Sequence, residues 1–265
     1  FEEYCDCTYE TQNFSDLSHI HIRSWVVQLK GDGLTNASIN RKISTLRSFY
    51  KYLRREGLVE KNPMIKVQTL KIAKRLPQFV PEKKISLIIE PLINNTTFSH
   101  TRDLLVIELL YFTGMRRSEL INLKYRDIDF ERMDLLVLGK GNKERKLPIN
   151  DYLMARILNY RRLVAEEFGR SDHDFVVLTN KGAQSYPKLV YKIVRRALMS
   201  VNASEKSSPH ILRHSYATHL TANGAELNAV KELLGHASLA ATQVYTHNSI
   251  DKLKEAYKQA HPLGS

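Results

Sequence analysis

A handful of residues spread along this chain have the types and spacings that phosphoryl-transfer chemistry uses. HILRH sets His210 three residues before Arg213, and TGMRRSEL sets Arg116 three before Glu119. GKGNKER carries Lys140, and LLGHASLAATQVYTH places Tyr245 nine residues after His236. A tyrosine hydroxyl, with an ordinary pKa of about 10, attacks at neutral pH only with a base or a strong positive field beside it. If the target is a phosphodiester, charge gathers on the non-bridging oxygens, where fixed guanidinium groups stabilise it. A departing deoxyribose 5′-oxygen is very basic and needs a proton, which a lysine can deliver. Tyr245, His210, Arg116, Arg213, His236 and Lys140 meet that list without a metal ion.

Each residue alone also fits a plainer reading. Tyr245 stands among small residues and could simply pack in a core. Arg116 and Glu119 could be a surface pair worth well under about 1 kcal/mol. His210 and His214 have the i,i+4 spacing of a metal pair, although no HExxH glutamate or cysteine pair accompanies them.

The elements that must position these groups are legible in outline. Ser208 is a good N-cap and Pro209 suits a first helical position, so a helix is expected there with His210 and Arg213 on one face. Its N-terminal potential favours an anion and keeps a nearby histidine neutral, and an arginine beside it can grip phosphate oxygens with two parallel hydrogen bonds. Gly114 ends a strongly apolar helix, with Arg116 opening the next. DLLVLG and ERKLPI flank KGNK as a β-hairpin with Lys140 at its tip. Further helices are expected at 82–90, 100–113, 150–168 and 187–200, a short strand at 175–178, and several short helical pieces at the end.

The first 65 or so residues read as helices. His19 to Leu29 has apolar positions at helical spacing, and Asn36 to Glu56 carries a stripe of Ile39, Ile43, Leu46, Tyr50 and Leu53. Arg47, Lys51, Arg54 and Arg55 cluster away from that stripe with Arg41 nearby, and no acid appears until Glu56. A merely solvated face mixes signs to gain i,i+4 pairs, and this one forgoes them, which points to a nucleic-acid contact. The stretch after Asn62-Pro63, with Pro77 and Pro81, reads as an extended basic strap whose Lys71, Lys74 and Arg75 join the DNA-binding candidates. The expected organisation is mainly α: a helical domain over 1–66, a linker over 67–81, and a mixed α/β domain with a small antiparallel sheet over 82–265.

Forty Lys and Arg against 28 Asp and Glu leave a net charge of +12, as a phosphate-bearing partner would favour. No apolar run approaches the ~18 residues of a membrane-spanning helix. Cys5 and Cys7 stand too close to staple a fold, which suits a reduced compartment. No signal peptide is visible, and a chain beginning at Phe1 is expected to be N-terminally truncated.

In this order and spacing, TGMRRSEL, GKGNKER, HILRH, LLGHASLAATQVYTH and the closing KEAYKQAHP resemble the tyrosine recombinase (phage integrase) family, most closely its Xer branch of bacterial chromosome-dimer resolvases. The resemblance covers nearly the whole chain and implies a two-domain clamp with a core-binding domain followed by a catalytic one. It implies that Tyr245 is the nucleophile, forming a 3′-phosphotyrosyl bond, and that Arg116 and Arg213 hold the phosphate. His210 would accept the Tyr245 proton, His236 would hydrogen-bond the phosphate and Lys140 would be the general acid. Glu119 would orient Arg116, and His214 would be structural. It further implies no cofactor, no need for ATP or Mg²⁺, a homo- or hetero-tetramer on two double-stranded DNA sites, and a last helix (about 250–259) docked on a neighbouring subunit. A DNA translocase as activator and a cytoplasmic, nucleoid-associated location complete the expectation, with no membrane partner. An integrase of a mobile element, a relaxing topoisomerase and a DNA-binding module without catalysis are the competing readings.

Overall fold

The computed structural model describes residues 1–11, 13–72, 79–93, 96–139, 142–169, 174–202 and 208–235, together with Tyr257 and Ala260. Among them the chain is mainly helical with one small antiparallel sheet, the class expected from sequence. It divides into two compact units, residues 1–76 and 77–265.

The first unit is built from α1 (Glu2–Tyr9), α2 (His19–Gly31) and α3 (Asn36–Arg55). The Thr35 hydroxyl caps α3 by accepting the Ser38 N–H at 3.3 Å. All five residues of the predicted stripe, Ile39 to Leu53, are buried, packing with Ile22 and Trp25 of α2 and with Met64 and Val67. Arg41, Arg47, Lys51, Arg54 and Arg55 are exposed. Residues 67–72, expected as the start of an extended linker, lie along α3. The Asn40 amide pairs with both backbone groups of Leu70, at 2.8 and 2.9 Å, Asn36 donates to Lys71 O, and Arg47 donates to Val67 O. An asparagine offers one acceptor and two donors, enough to satisfy a passing peptide that no strand pairs.

The second unit is organised around α5 (Phe98–Thr113), which is buried on every side. α4 (Glu82–Ile93), α6 (Arg117–Asn122), α7 (Asp151–Phe168), α8 (Pro187–Ser200) and α9 (Pro209–Ala222) pack against it, and α10 (Leu227–Leu234) packs on α9. Buried charges on α5 are paired, as burial requires. Arg102 donates to Asp103 Oδ1 at 2.8 and 3.0 Å, and Asp103 Oδ2 accepts from Arg196 of α8.

The expected hairpin is present as β2 (Asp134–Leu138) and β3 (Glu144–Pro148), with Leu136 opposite Lys146, and β1 (Ile128–Asp129) adds a third antiparallel strand. Residues 175–178 do not form the expected strand. Val176, Val177 and Leu178 are buried in a bent segment that makes isolated bridges, Lys124 to Phe175 and Leu178 to Gln184. A continuous apolar run reports burial but not a ladder partner. Of the expected last helix and its end, Tyr257 and Ala260 are described. Both are helical and 2% exposed within the core of their own unit, and Ala260 O accepts from Asn223 Nδ2 at 2.8 Å. No helix among the described residues is long and apolar enough to cross a membrane.

Candidate active site

α5 stops at Gly114, whose φ of 61° lies in the left-handed region. A Cβ there would stand 2.8 Å from Cε1 of Tyr216 in α9 and closer still to Cδ1, so backbone and neighbour both require glycine. After Met115 the chain enters α6 with Arg116 at the N-cap. The Arg116 N–H donates to Glu119 Oε2 at 2.6 Å and its Nη1 donates to Oε1 at 2.8 Å. One carboxylate therefore satisfies a helix-start donor and fixes a guanidinium. The Arg116 side chain stays 27% exposed, open to an incoming group.

Alternation along β3 turns Arg145 inward, on the same face as Leu147 and opposite Val137. Its guanidinium closes on Glu119 as a fork, Nη1 to Oε1 at 2.7 Å and Nη2 to Oε2 at 2.8 Å. The Arg145 and Glu119 side chains are 4% and 1% exposed. Burial alone pushes the Glu119 carboxyl up, but hydrogen bonds from Arg145 and from the Arg116 backbone outweigh it and hold the pKa at about 2.

α9 begins where the sequence places it, with Ser208 at the N-cap and Pro209 first. Arg213, one turn in, is buried, and its terminal nitrogens donate to Gly114 O and Leu234 O. Burial, then the nearby Arg116 and Arg145 charges, lower its pKa to about 10, so it remains a cation at neutral pH in a strongly positive surrounding.

These arginines meet at one place. Arg145 Nε donates to Leu233 O at 2.9 Å, Arg213 to Leu234 O, and Arg116 Nη2 to Gly235 O at 2.9 Å. The closing carbonyls of a helix have no intrahelical partner and carry partial negative charge, which three cations here neutralise. Gly235, with φ of 60°, caps α10, and a Cβ on it would lie 3.1 Å from Arg145 Cδ.

Of the residues singled out by sequence, Arg116, Glu119 and Arg213 are thus brought together. His210 is exposed in the first turn of α9 and His214 is half-buried. Lys140, His236, Tyr245, Lys74 and Arg75 lie outside the described residues. No cluster of three or more potential metal ligands occurs among the described residues. Sequence reasoning missed two features. Arg145 was legible through period-two alternation with Leu147. The outer face of α8 carries exposed Lys188, Tyr191, Lys192 and Arg195, and the helix contains no acid, the same signature recognised in α3.

The fold and this arginine-rich centre define a class. Residues 78–252 match the phage integrase family and residues 1–57 match the phage integrase N-terminal SAM-like domain, so the chain belongs to the phage integrase family of tyrosine recombinases. Its relatives narrow this to the Xer type. Tyrosine recombinase XerC of Pediococcus pentosaceus is 40% identical over 86% of this chain and 77% of its own. The XerC of Oceanobacillus iheyensis is 39% identical over 94% and 83%. A XerH site-specific recombinase solved bound to a palindromic difH substrate shares the fold, with TM-score 0.73 and 24% identity over 97% of this chain and 75% of the other.

Proposed function

We propose that this chain cuts and rejoins duplex DNA at a specific site through a 3′-phosphotyrosyl bond at Tyr245. The observation that carries the reading is the cluster of Arg116, Arg145 and Arg213, in which Glu119 binds the first two and backbone carbonyls hold the third. Such an excess of fixed positive charge suits an anion whose negative charge grows during reaction. The bonds described above use two of the five N–H donors of Arg116 and two of those of Arg213, leaving donors for phosphate oxygens.

In this mechanism His210 accepts the Tyr245 proton as the phenolic oxygen attacks phosphorus. Arg116, Arg213 and His236 hold the non-bridging oxygens. The bond from phosphorus to the 5′-oxygen breaks, and Lys140 protonates that oxygen. The phosphotyrosyl ester conserves the broken bond's energy, so a second 5′-hydroxyl reseals the strand without ATP or a metal ion. The relatives named XerC, and the XerH bound to difH, support a recombination site as substrate. Exposed basic faces on α3 and α8 would hold the DNA backbone. From the motif resemblance in its sequence we further propose that the chain acts as a homo- or hetero-tetramer on two sites in chromosome or plasmid dimer resolution, in the cytoplasm at the nucleoid, with a DNA translocase as activator. A nicked suicide duplex carrying the target site tests the core claim. A covalent adduct should form with wild type in EDTA and vanish in Tyr245→Phe. Equal trapping by the variant removes Tyr245 as nucleophile, and loss of trapping in EDTA removes the metal-free mechanism.

A further inference from the structure

We propose that Arg145 is a positioning residue for strand cleavage, acting on the phosphate only through its neighbours; the inference rests on the recombinase reading above. Arg145 faces the core from β3 and is almost fully buried, so its guanidinium carries a desolvation cost that an aliphatic side chain at this position would avoid. What the guanidinium adds is direction. Two of its nitrogens fork onto Glu119, the same carboxylate that holds both the Arg116 backbone and the Arg116 guanidinium. Without the fork, a buried Glu119 would be left with Arg116 as its one cationic partner and would draw that guanidinium away from its open orientation.

The third nitrogen donates to Leu233 O, beside the carbonyls that hold Arg213 and Arg116. Two glycines pack against the same group. A Cβ on Gly139 would lie 3.5 Å from Arg145 Nη1 and 3.6 Å from Arg116 Nη1, and one on Gly235 would lie 3.1 Å from Arg145 Cδ. In sequence Gly139 immediately precedes Lys140 and Gly235 immediately precedes His236. One side chain therefore sets the spacing between three backbone segments: the start of α6, the hairpin loop and the end of α10. Each of them carries or adjoins a residue assigned above to the phosphate or the leaving group.

The test uses full-length Arg145→Lys, Arg145→Met, Glu119→Gln and the double variant Glu119→Gln/Arg145→Met. Single-turnover adduct formation on nicked duplex is measured at saturating protein, with Kd from fluorescence anisotropy, below the melting temperature of every variant. Both Arg145 substitutions should slow adduct formation by about 100-fold while Kd stays within about threefold, the scale expected of a misplacement near 1 Å. Lysine keeps the charge but lacks the planar fork, so it should not rescue. The double variant should be no slower than the slower single, because both changes break one linkage. A purely structural Arg145 would lower melting temperature yet leave this rate untouched, and that result, rescue by lysine, or multiplicative losses in the double variant would each overturn the proposal. If Arg145→Met does not fold, Arg145→Lys and Glu119→Gln carry the same comparison. Absence of an adduct with wild type defeats the recombinase reading and this proposal together, whereas a normal wild-type adduct with unaffected variants defeats this proposal alone.

Discussion

Two buried glutamates in the second unit titrate in opposite directions, and the difference lies in their partners. Glu119 meets a bidentate arginine and a backbone N–H, so its charge is stabilised out of water. Glu108, in the middle of α5, is pushed up to about 7 by burial, against a Tyr152 hydroxyl bond at 2.5 Å and Arg156 at 3.4 Å. Its Oε2 and Arg156 Nη2 find no partner among the described residues. In the unfolded chain Glu108 gives up its proton near 4.5, and in the folded chain near 7. Between those values the folded state binds more protons, so this group makes stability fall as pH rises from about 4.5 to 7 and level off above. Glu108→Gln should remove that fall, which is on the order of 3 kcal/mol for a shift of this size. Melting temperatures of wild type and variant at pH 5 and 7.5 measure it; an unchanged difference between the two pH values assigns the slope elsewhere.

At the scale of elements, the site depends on how closely α5, α9 and α10 approach. Gly114 ends α5 against the Tyr216 ring, and its carbonyl accepts from Arg213. Gly114→Ala must strain a left-handed backbone and also displace Tyr216, a cost of about 2 kcal/mol or more. We expect a melting temperature lower by roughly 4–8 °C for a unit of this size, read by circular dichroism. Adduct formation should fall further than melting alone explains, since Arg213 shifts with the carbonyl it is bound to. A variant as stable and as active as wild type would show that the α5–α9 contact yields without cost.

Over the whole molecule, acid-free basic helices in both units, α3 in the first and α8 in the second, contribute part of the +12 charge. Not every cation there is free to meet DNA. Arg47 is tied to Val67 O, Arg55 to Glu56, and Arg196 to Asp103. Lys51 and Arg54 on α3, with Lys192 and Arg195 on α8, are the exposed positions to test. Neutralising Lys192 and Arg195 to Gln should weaken binding for every duplex sequence alike. It should also flatten the slope of log K against log salt by roughly two, about 0.9 for each phosphate left without its cation. The same change is expected for Lys51 and Arg54, and an unaltered slope for either pair would return that helix to the role of a solvated face.

Much of this was legible in the chain itself. Apolar spacing located α2, α3, α4, α5, α7 and α8, and N-cap chemistry located the start of α9, because local periodicity and end groups determine where a helix forms and stops. Residue types and order carried the family resemblance and pointed to Arg116, Glu119 and Arg213. The isolated bridges of residues 175–178 in place of a strand, the burial of Tyr257 in its own unit, and the linkage of Arg145 to Glu119 were not legible in that way. Each depends on a neighbour distant in sequence, and a one-dimensional pattern reports that a side chain is buried without saying against what. Tertiary structure alone decided that guanidinium groups from a helix start, a strand and a helix interior would converge on the last carbonyls of α10, since only packing brings residues 116, 145 and 213 within hydrogen-bond reach of residues 233–235.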